Sequence, residues 1–410
     1  MRAEGSLDAA TSKLTFRRFI DEVARSNVDL AVQRYNVSIA EAQLVAARVS
    51  PNPTFSAGGT RDVSGKQQPA TENAALSQTI EIGGKRHFRV SVATRNLLAS
   101  SATVEDFFRT LRGAAASAYI DAVASEMIVQ QKRKAVDSLQ GLAELNRIRF
   151  KEGDIAEVDY NQASVDSLQA QGDLSSSETT ASTALLALVQ FLGRPGLPLP
   201  HPVSDLRISG RNFKLPVLLK SAIQTRPDVV AARHIHESAL ASMGLTRANR
   251  LPDVTFNAGL QQNESGRNPL NPSPNFNLLS GGFSVPLPIF NSFRGEYLAA
   301  AKTALQSEKT LQSVELKAEV DIRQNFERYR LAQTRAAKYE GAILDLSAKV
   351  LDARLAAYKT GSATLLDVLI AQKADTDVRL AAIDAQSERA KALVALEQAA
   401  NIWDVDFLIR

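Results

Sequence analysis

The sequence predicts a mainly α-helical protein with a small β part, built as two tandem repeats of long antiparallel helices plus strand hairpins. Three observations predict it. The chain is written twice: Asp29 to Arg48 parallels Asp228 to Arg247, and Pro51, Thr54, Phe55, Ala57 and Gly58 return as Pro252, Thr255, Phe256, Ala258 and Gly259. Ser77 returns as Ser284, and Phe150, Gly153 and Asp159 return as Tyr358, Gly361 and Asp367. The separation is roughly 200 residues and creeps upward, as loop insertions make it. The second observation is a pair of proline-free stretches rich in Ala, Leu, Gln, Glu, Lys and Arg, 85–149 and 292–358. The third is a set of short segments whose apolar residues recur every second position.

Taken in order, the first repeat covers 1–193 and opens on a short helix striped by Phe16, Ile20 and Val23. Leu30, Val37 and Leu44 then recur at seven-residue spacing along a medium helix over 28–49, which Pro51 ends. Strands are expected at about 53–62 and 75–83, the second with Leu76, Ile80 and Ile82 alternating against Ser77, Thr79 and Glu81. Between them, 63–75 is rich in Gly, Pro, Asn and Ser and reads as a long exposed loop. The long helix at about 85–149 would run close to 100 Å at about 1.5 Å per residue. A turn at Gly153 follows, then a helix over 156–192.

A proline-rich connector, 194–216, leads to the second repeat, 217–410. Pro227 stands at a favourable first-turn position for its medium helix. Its strands are expected at about 253–262 and 277–289. In the first, Val254, Phe256, Ala258 and Leu260 alternate with polar residues or glycine; in the second, Phe283, Val285, Leu287 and Ile289 alternate with Ser284, Pro286 and Pro288. A second loop, 262–275, separates them. The long helix at about 292–358 carries Leu344, Leu351, Leu355 and Tyr358 on one face, at coiled-coil spacing. Beyond the turn at Gly361, 363–401 is helical, with alanines on several faces that suit close packing against neighbours on both sides.

Composition excludes several functions. Net charge is +4 with both signs interleaved, and no Lys/Arg cluster with aromatics is present, so no nucleic acid partner is expected. With no cysteine, disulfides, thiolate metal sites and Cys nucleophiles are ruled out together. His234 and His236 lie two apart, which points them to different faces of a helix, and nothing nearby completes a metal site; no metal and no cofactor are expected. Gly83-Gly84-Lys85-Arg86 lacks phosphate-loop spacing, Asn263-Glu264-Ser265 is a formal glycosylation sequon only, and no catalytic triad or carboxylate pair has a motif around it. An enzyme is not expected. No apolar run approaches the roughly 20 residues of a spanning helix, and residues 1–12 show no secretory apolar region.

Four amphipathic strands of about ten residues match the length that crosses a bilayer as tilted β. One chain cannot close them, because every backbone group in lipid must be paired and single-layer barrels start at about eight strands. Two chains supply eight strands and three supply twelve, and either number satisfies closure.

The order of elements, the duplication and these motifs resemble the TolC-type outer-membrane factors, the outer membrane efflux proteins of Gram-negative bacteria, from about Leu14 to Ile402. Q-T-I-E-I-G-G-K-R (Gln78 to Arg86) and S-V-P-L-P-I-F-N-S-F-R-G (Ser284 to Gly295) are most similar to the cation-efflux (cobalt-zinc-cadmium resistance) subgroup, although Ser292-Phe293-Arg294 departs from the usual Asn-Gln before the glycine. The resemblance implies a homotrimer whose 12-strand transmembrane β-barrel lies in the outer membrane lipid and continues as an α-helical barrel through the periplasm. It also implies a periplasmic adaptor and an inner-membrane RND-type pump as partners, with heavy-metal cations as cargo. The turns Phe150 to Asp159 and Tyr358 to Asp367 match the family's periplasmic tip. By that match Asp367 rings the constriction and Asp159 pairs with Tyr358, while the turns at Gly153 and Gly361 dock the adaptor. Ile370 stands where a relative carries a second acid. Two alternatives remain open at this stage: a conduit for drug, siderophore or type I protein export, and a coiled-coil scaffold outside any membrane. Asp367 read without the family is an ordinary solvated or capping residue on a helix.

Overall fold

The computed structural model describes residues 13–61, 63, 70–194, 196, 199–203, 205–208, 211–264 and 274–404. The chain start at 1–12, parts of the loops 63–75 and 262–275, the end of the sequon at Ser265 and parts of the connector lie outside them. In chain order the elements are β1 Lys13–Leu14, α1 Phe16–Ser26, α2 Val28–Ala47, β2 Thr54–Thr60, β3 Thr71–Ile80, α3 Lys85–Glu152, α4 Glu157–Leu192 and β4 His201–Pro202. The second half follows with α5 Leu215–Thr225, α6 Pro227–Ala248, β5 Val254–Asn263, β6 Phe276–Ser284, α7 Arg294–Lys338, α8 Leu344–Lys359 and α9 Leu365–Ala400.

Two compact units form, and each draws on both halves of the chain. The first comprises Met1–Gln33, Val104–Arg226 and Glu315–Arg410. Its core is aromatic where α1 meets α3: the Phe16 ring meets Tyr119 edge-on at 5.4 Å and Phe19 stacks on it at 5.6 Å. The buried Tyr119 hydroxyl donates to the Leu14 carbonyl at 2.7 Å, so its one polar atom is not stranded. Around them pack Ile120, Leu188, Leu206 and, from α9, Ala390, Leu393, Leu396 and Ala399. The alanine-rich α9 is thus buried on several faces within one core, where small side chains let neighbouring helices approach closely. A second cluster gathers Leu142, Ala163, Tyr358, Leu365 and Val368 near the two helical turns.

The second unit comprises Arg34–Thr103 and Pro227–Val314 and holds the sheet. Its helical part buries mainly small residues, among them Ala40, Ala99, Ala102, Ala232, Ala248 and Ala304. Polar links lace the helices: Ser238 Oγ donates to Asn96 Oδ1 at 2.6 Å, and Arg95 pairs with Glu237 at 2.8 Å. His234 touches Glu237 and His236 touches Ser307, so the two imidazoles do go to different partners.

Three element boundaries differ from the sequence reading. The strand expected at 75–83 starts earlier, at Thr71, because Thr71 to Ala74 are paired on both sides, to Ala57–Thr60 and to Leu260–Asn263, and ladder bonds outweigh the weak β propensity of Glu72 and Asn73. The strand expected to reach 289 stops at Ser284. Pro286 and Pro288 supply no N–H to a ladder, so alternation alone could not extend it. The helix expected to run unbroken over 292–358 is interrupted by a π-type segment, Tyr339–Ile343, in which Gly341 leaves the helical region at φ −91° and ψ −118°. A mid-helix glycine weakens the ladder there, and the break is braced by Arg389, which reaches Glu340 with two hydrogen bonds of 2.8 and 3.1 Å.

Candidate functional site: an amphipathic sheet and two helical turns

The sheet has the order β2-β3-β5-β6, antiparallel throughout. The two repeats meet at its centre, where β3 pairs with β5 from Ile80↔Val254 to Thr71↔Asn263. The strands are 7, 10, 10 and 9 residues long. Register sorts every side chain to one of two faces. Phe55↔Leu76, Gln78↔Phe256, Phe256↔Phe283, Ala74↔Leu260 and Leu260↔Leu279 place Phe55, Leu76, Phe256, Leu260, Leu279 and Phe283 on one face, with Ile80 and Val254. The intervening positions place Thr54, Ser56, Ser77, Thr79, Asn73, Thr255, Asn257, Gln261, Ser280 and Ser284 on the other; the exceptions are Phe276 and Leu278 on the polar face and Glu72, Gln78, Gln262 and Asn277 on the apolar one.

The polar face bonds to itself. Thr54 and Ser77 share a hydroxyl–hydroxyl bond of 2.6 Å, Thr79 and Thr255 one of 2.9 Å, and Gln261 donates to Asn263 at 3.1 Å. The apolar face has no cover: Leu260 is 62% exposed, Phe283 72% and Leu279 80%. A soluble protein turns such a face inward, since burying each of these side chains is worth roughly 1.5–3 kcal/mol. The outer edges of β2 and β6 have no strand partner among the described residues. The sheet thus has one exposed apolar face, one self-bonded polar face and two edges without a strand partner among the described residues.

In the other unit, the two repeats' helical turns share one backbone solution. Gly153 adopts φ +81° and Gly361 φ +77°. The N–H groups of Gly153 and Asp154 bond to the carbonyls of Phe150 and Arg149 at 3.1 and 2.9 Å, and those of Gly361 and Ser362 to Tyr358 and Ala357 at 3.1 and 2.9 Å. Both are the paired bonds that close a helix on a left-handed residue, which is why glycine stands there. Gly361→Ala is expected to destabilise the turn by about 1–2 kcal/mol, the cost of a left-handed Cβ, whereas Gly361→Asn loses less. Thermal unfolding of the two variants checks this ordering.

The equivalent aspartates differ in chemistry. Thr364 and Asp367 form a reciprocal capping box: Asp367 N–H donates to Thr364 Oγ1 at 3.2 Å, and Thr364 N–H donates to Asp367 Oδ2 at 3.0 Å. The Thr364 hydroxyl also donates to Asp367 Oδ2, at 2.7 Å. These bonds hold the Asp367 carboxyl below its usual pKa, the Thr364 hydroxyl first, with Arg354 a minor contributor. The lowered value means the cap is fully formed above the ordinary carboxylate range and is lost as pH falls through the folded-state pKa. Arg354 stands 3.9 Å away, and both side chains are well exposed, so solvent screens the pair. In the first repeat Ala156 occupies the Thr364 position and has no hydroxyl, and Asp159 is exposed with no side-chain bond among the described residues.

Asp159 does not pair with Tyr358. The buried Tyr358 hydroxyl donates to Asn146 Oδ1 at 2.5 Å, joining α8 to α3, and Arg149 lies 4.9 Å over the Tyr358 ring. A phenol has one proton to give, and here Asn146, which is fully buried, takes it. Asn146 escaped the sequence reading. The available signal was an amide at heptad spacing from Leu139 and Leu142, where an apolar residue is expected. The structure therefore gathers Tyr358, Gly361 and Asp367 at one turn and Gly153 and Asp159 at the other, with Asn146 as the link between them.

The outer membrane efflux protein family matches residues 19–194 and 218–401. The cobalt-zinc-cadmium resistance protein CzcC of Cupriavidus metallidurans is 24% identical over 370 residues, covering 89% of this chain and 84% of CzcC. The pyoverdine export outer membrane protein OpmQ of Pseudomonas putida is 26% identical, covering 94% of this chain and 86% of OpmQ. The fold superposes on crystal structures of CusC with a TM-score of 0.78 at 18% identity, covering 97% of this chain and 95% of CusC. With both repeats matched, the chain belongs to the outer membrane efflux protein family, whose members are channels rather than enzymes.

Proposed function

We propose that three copies of the chain close their sheets into a 12-strand barrel in the outer membrane, continued by an α-helical barrel into the periplasm. The assembly is the exit duct of a tripartite efflux system, coupled to a periplasmic adaptor and an inner-membrane RND-type pump. One observation carries this reading: the four-stranded sheet is apolar and uncovered on one face, polar on the other, and open at both edges. In lipid those edges cannot stay unpaired, and β2 of one copy against β6 of the next completes the ladder. Among the described residues no helix is long and apolar enough to cross a membrane. The test is a planar bilayer recording of the purified oligomer with its subunit number from cross-linking; a monomer that stays in solution without detergent and opens no conductance sinks the proposal.

Heavy-metal cations are the cargo this reading favours, on the likeness to CzcC across both repeats. The comparable likeness to OpmQ supports a second reading, export of a chelator such as pyoverdine. Restored metal tolerance in a strain lacking its own cation-efflux channel selects the first, and restored chelator secretion alone selects the second.

The two turns form the inner tip. Gly153 and Gly361 present the turns to the adaptor, and Asp367 contributes one carboxylate per copy to the constriction, with Asp159 and Tyr358 beside it. Three carboxylates around one axis attract cations and repel each other. Asp367→Ala should therefore change single-channel conductance and weaken block by divalent cations; identical recordings would remove Asp367 from the gate and leave it the capping role described above.

A further inference from the structure

The chain between β6 and α7 is apolar, water-exposed and held in place. Leu287, Ile289 and Phe290 are 72%, 74% and 101% exposed. They do not hang on a loose loop. Asn291 Oδ1 accepts the Phe293 N–H at 2.9 Å, Asn291 Nδ2 donates to Glu296 at 3.0 Å, and Arg250 Nε donates to the Ser292 carbonyl at 3.2 Å. The Arg250 guanidinium also lies 5.6 Å over the Tyr297 ring, and Phe293 takes a left-handed φ of +56° that the surrounding bonds must maintain. Pro286 and Pro288 keep the segment from joining the ladder. The braced turn thus displays three large apolar side chains that find no cover among the described residues of this unit.

The charge beside them is basic on balance. Arg250 and Arg294 are exposed and have no ion-pair partner among the described residues. Of the nearby acids, Asp253 is paired with Lys85 at 2.7 Å and Glu81 with Arg89, whereas the exposed Glu296 bonds the neutral Asn291 and keeps its charge. Apolar side chains flanked by unpaired arginines match the acyl and phosphate layers of a phospholipid leaflet. The segment also begins at the residue after β6, whose Leu279 and Phe283 lie on the apolar face.

We propose that Leu287, Ile289 and Phe290 form a wedge that enters the phospholipid leaflet at the helix end of the sheet, with Arg250 and Arg294 binding lipid phosphates. The inference rests on the reading that the sheet crosses a membrane. It is tested with Phe290→Trp in a Trp403→Phe background, since Trp403 is the chain's single tryptophan. The full chain is reconstituted in phosphatidylethanolamine and phosphatidylglycerol vesicles containing lipid brominated near the headgroup for position 290, and Leu279→Trp in the same background, with lipid brominated deep in the acyl chain, reports on the strand itself. Quenching of roughly twofold or more at both positions is expected, with less at position 290 once Arg294→Gln is added. Quenching at 279 but not 290 overturns the wedge and leaves the barrel. A blue-shifted but unquenched signal at 290 also overturns it, by placing the segment against a second copy. Quenching at 290 alone sinks the barrel and the wedge argued from it, leaving only a surface contact with lipid, and quenching at neither sinks both. If Trp403→Phe prevents folding, the same comparison is made with Trp403 retained and its signal subtracted.

Discussion

Leu260→Arg is expected to abolish outer-membrane assembly, whereas Gln261→Arg, one residue along the same strand, leaves it intact. Leu260 faces Ala74 and Leu279 across the ladder on the apolar face, near the middle of β5. Gln261 faces Asn73 and Leu278 on the other, where Asn263 already bonds it. An arginine on the lipid face costs about 2–4 kcal/mol near the bilayer midplane, and a trimer carries that cost in every copy. On the water side the same guanidinium remains hydrated. Heat-modifiable migration of the outer-membrane fraction and single-channel recordings read the outcome: loss of the oligomer for Leu260→Arg, and an assembled channel with altered ion selectivity for Gln261→Arg. Equal behaviour of the pair would contradict the assignment of faces and, with it, the barrel.

Tyr358→Phe carries the second large effect. Removing the hydroxyl strands Asn146 Oδ1 in a fully buried position, and Asn146 Nδ2 already has no partner among the described residues. A buried acceptor left without its donor costs about 1–3 kcal/mol, because water cannot replace the bond. This contact joins α3 to α8, so its loss is expected to lower thermal stability and, on the proposed function, to raise open probability in bilayer recordings. Adding Asn146→Leu removes the stranded group as well, and the double variant should recover part of the lost stability. A single variant with unchanged unfolding and unchanged gating would show that the bond has no mechanical role.

Most of the architecture was legible in residue order. The duplication was visible because Asp29, Pro51, Phe55 and Gly153 return with the same neighbours. Strand faces were legible because period-two alternation is a property of the backbone, so Val254, Phe256, Ala258 and Leu260 had to share a side. The left-handed turns were legible as glycines between helix-forming runs, and both have the positive φ that this placement implies. Where alternation and chemistry disagreed, alternation misled: Val285, Leu287 and Ile289 continue the pattern, but the prolines between them end the ladder at Ser284. Gly341 was equally visible, yet one glycine in a long helical run marks a break only when its neighbours open the ladder there.

Residue order by itself determined which side chains of each strand face together and where each helix must turn, because both follow from the geometry of a few consecutive residues. Only the tertiary structure decided that β3 of one repeat pairs with β5 of the other and that Asn146 rather than Asp159 receives the Tyr358 hydroxyl. Those choices depend on the phase and spacing of helices and strands far apart in the chain, and a difference of a few ångströms there decides which of several competent partners a single donor reaches.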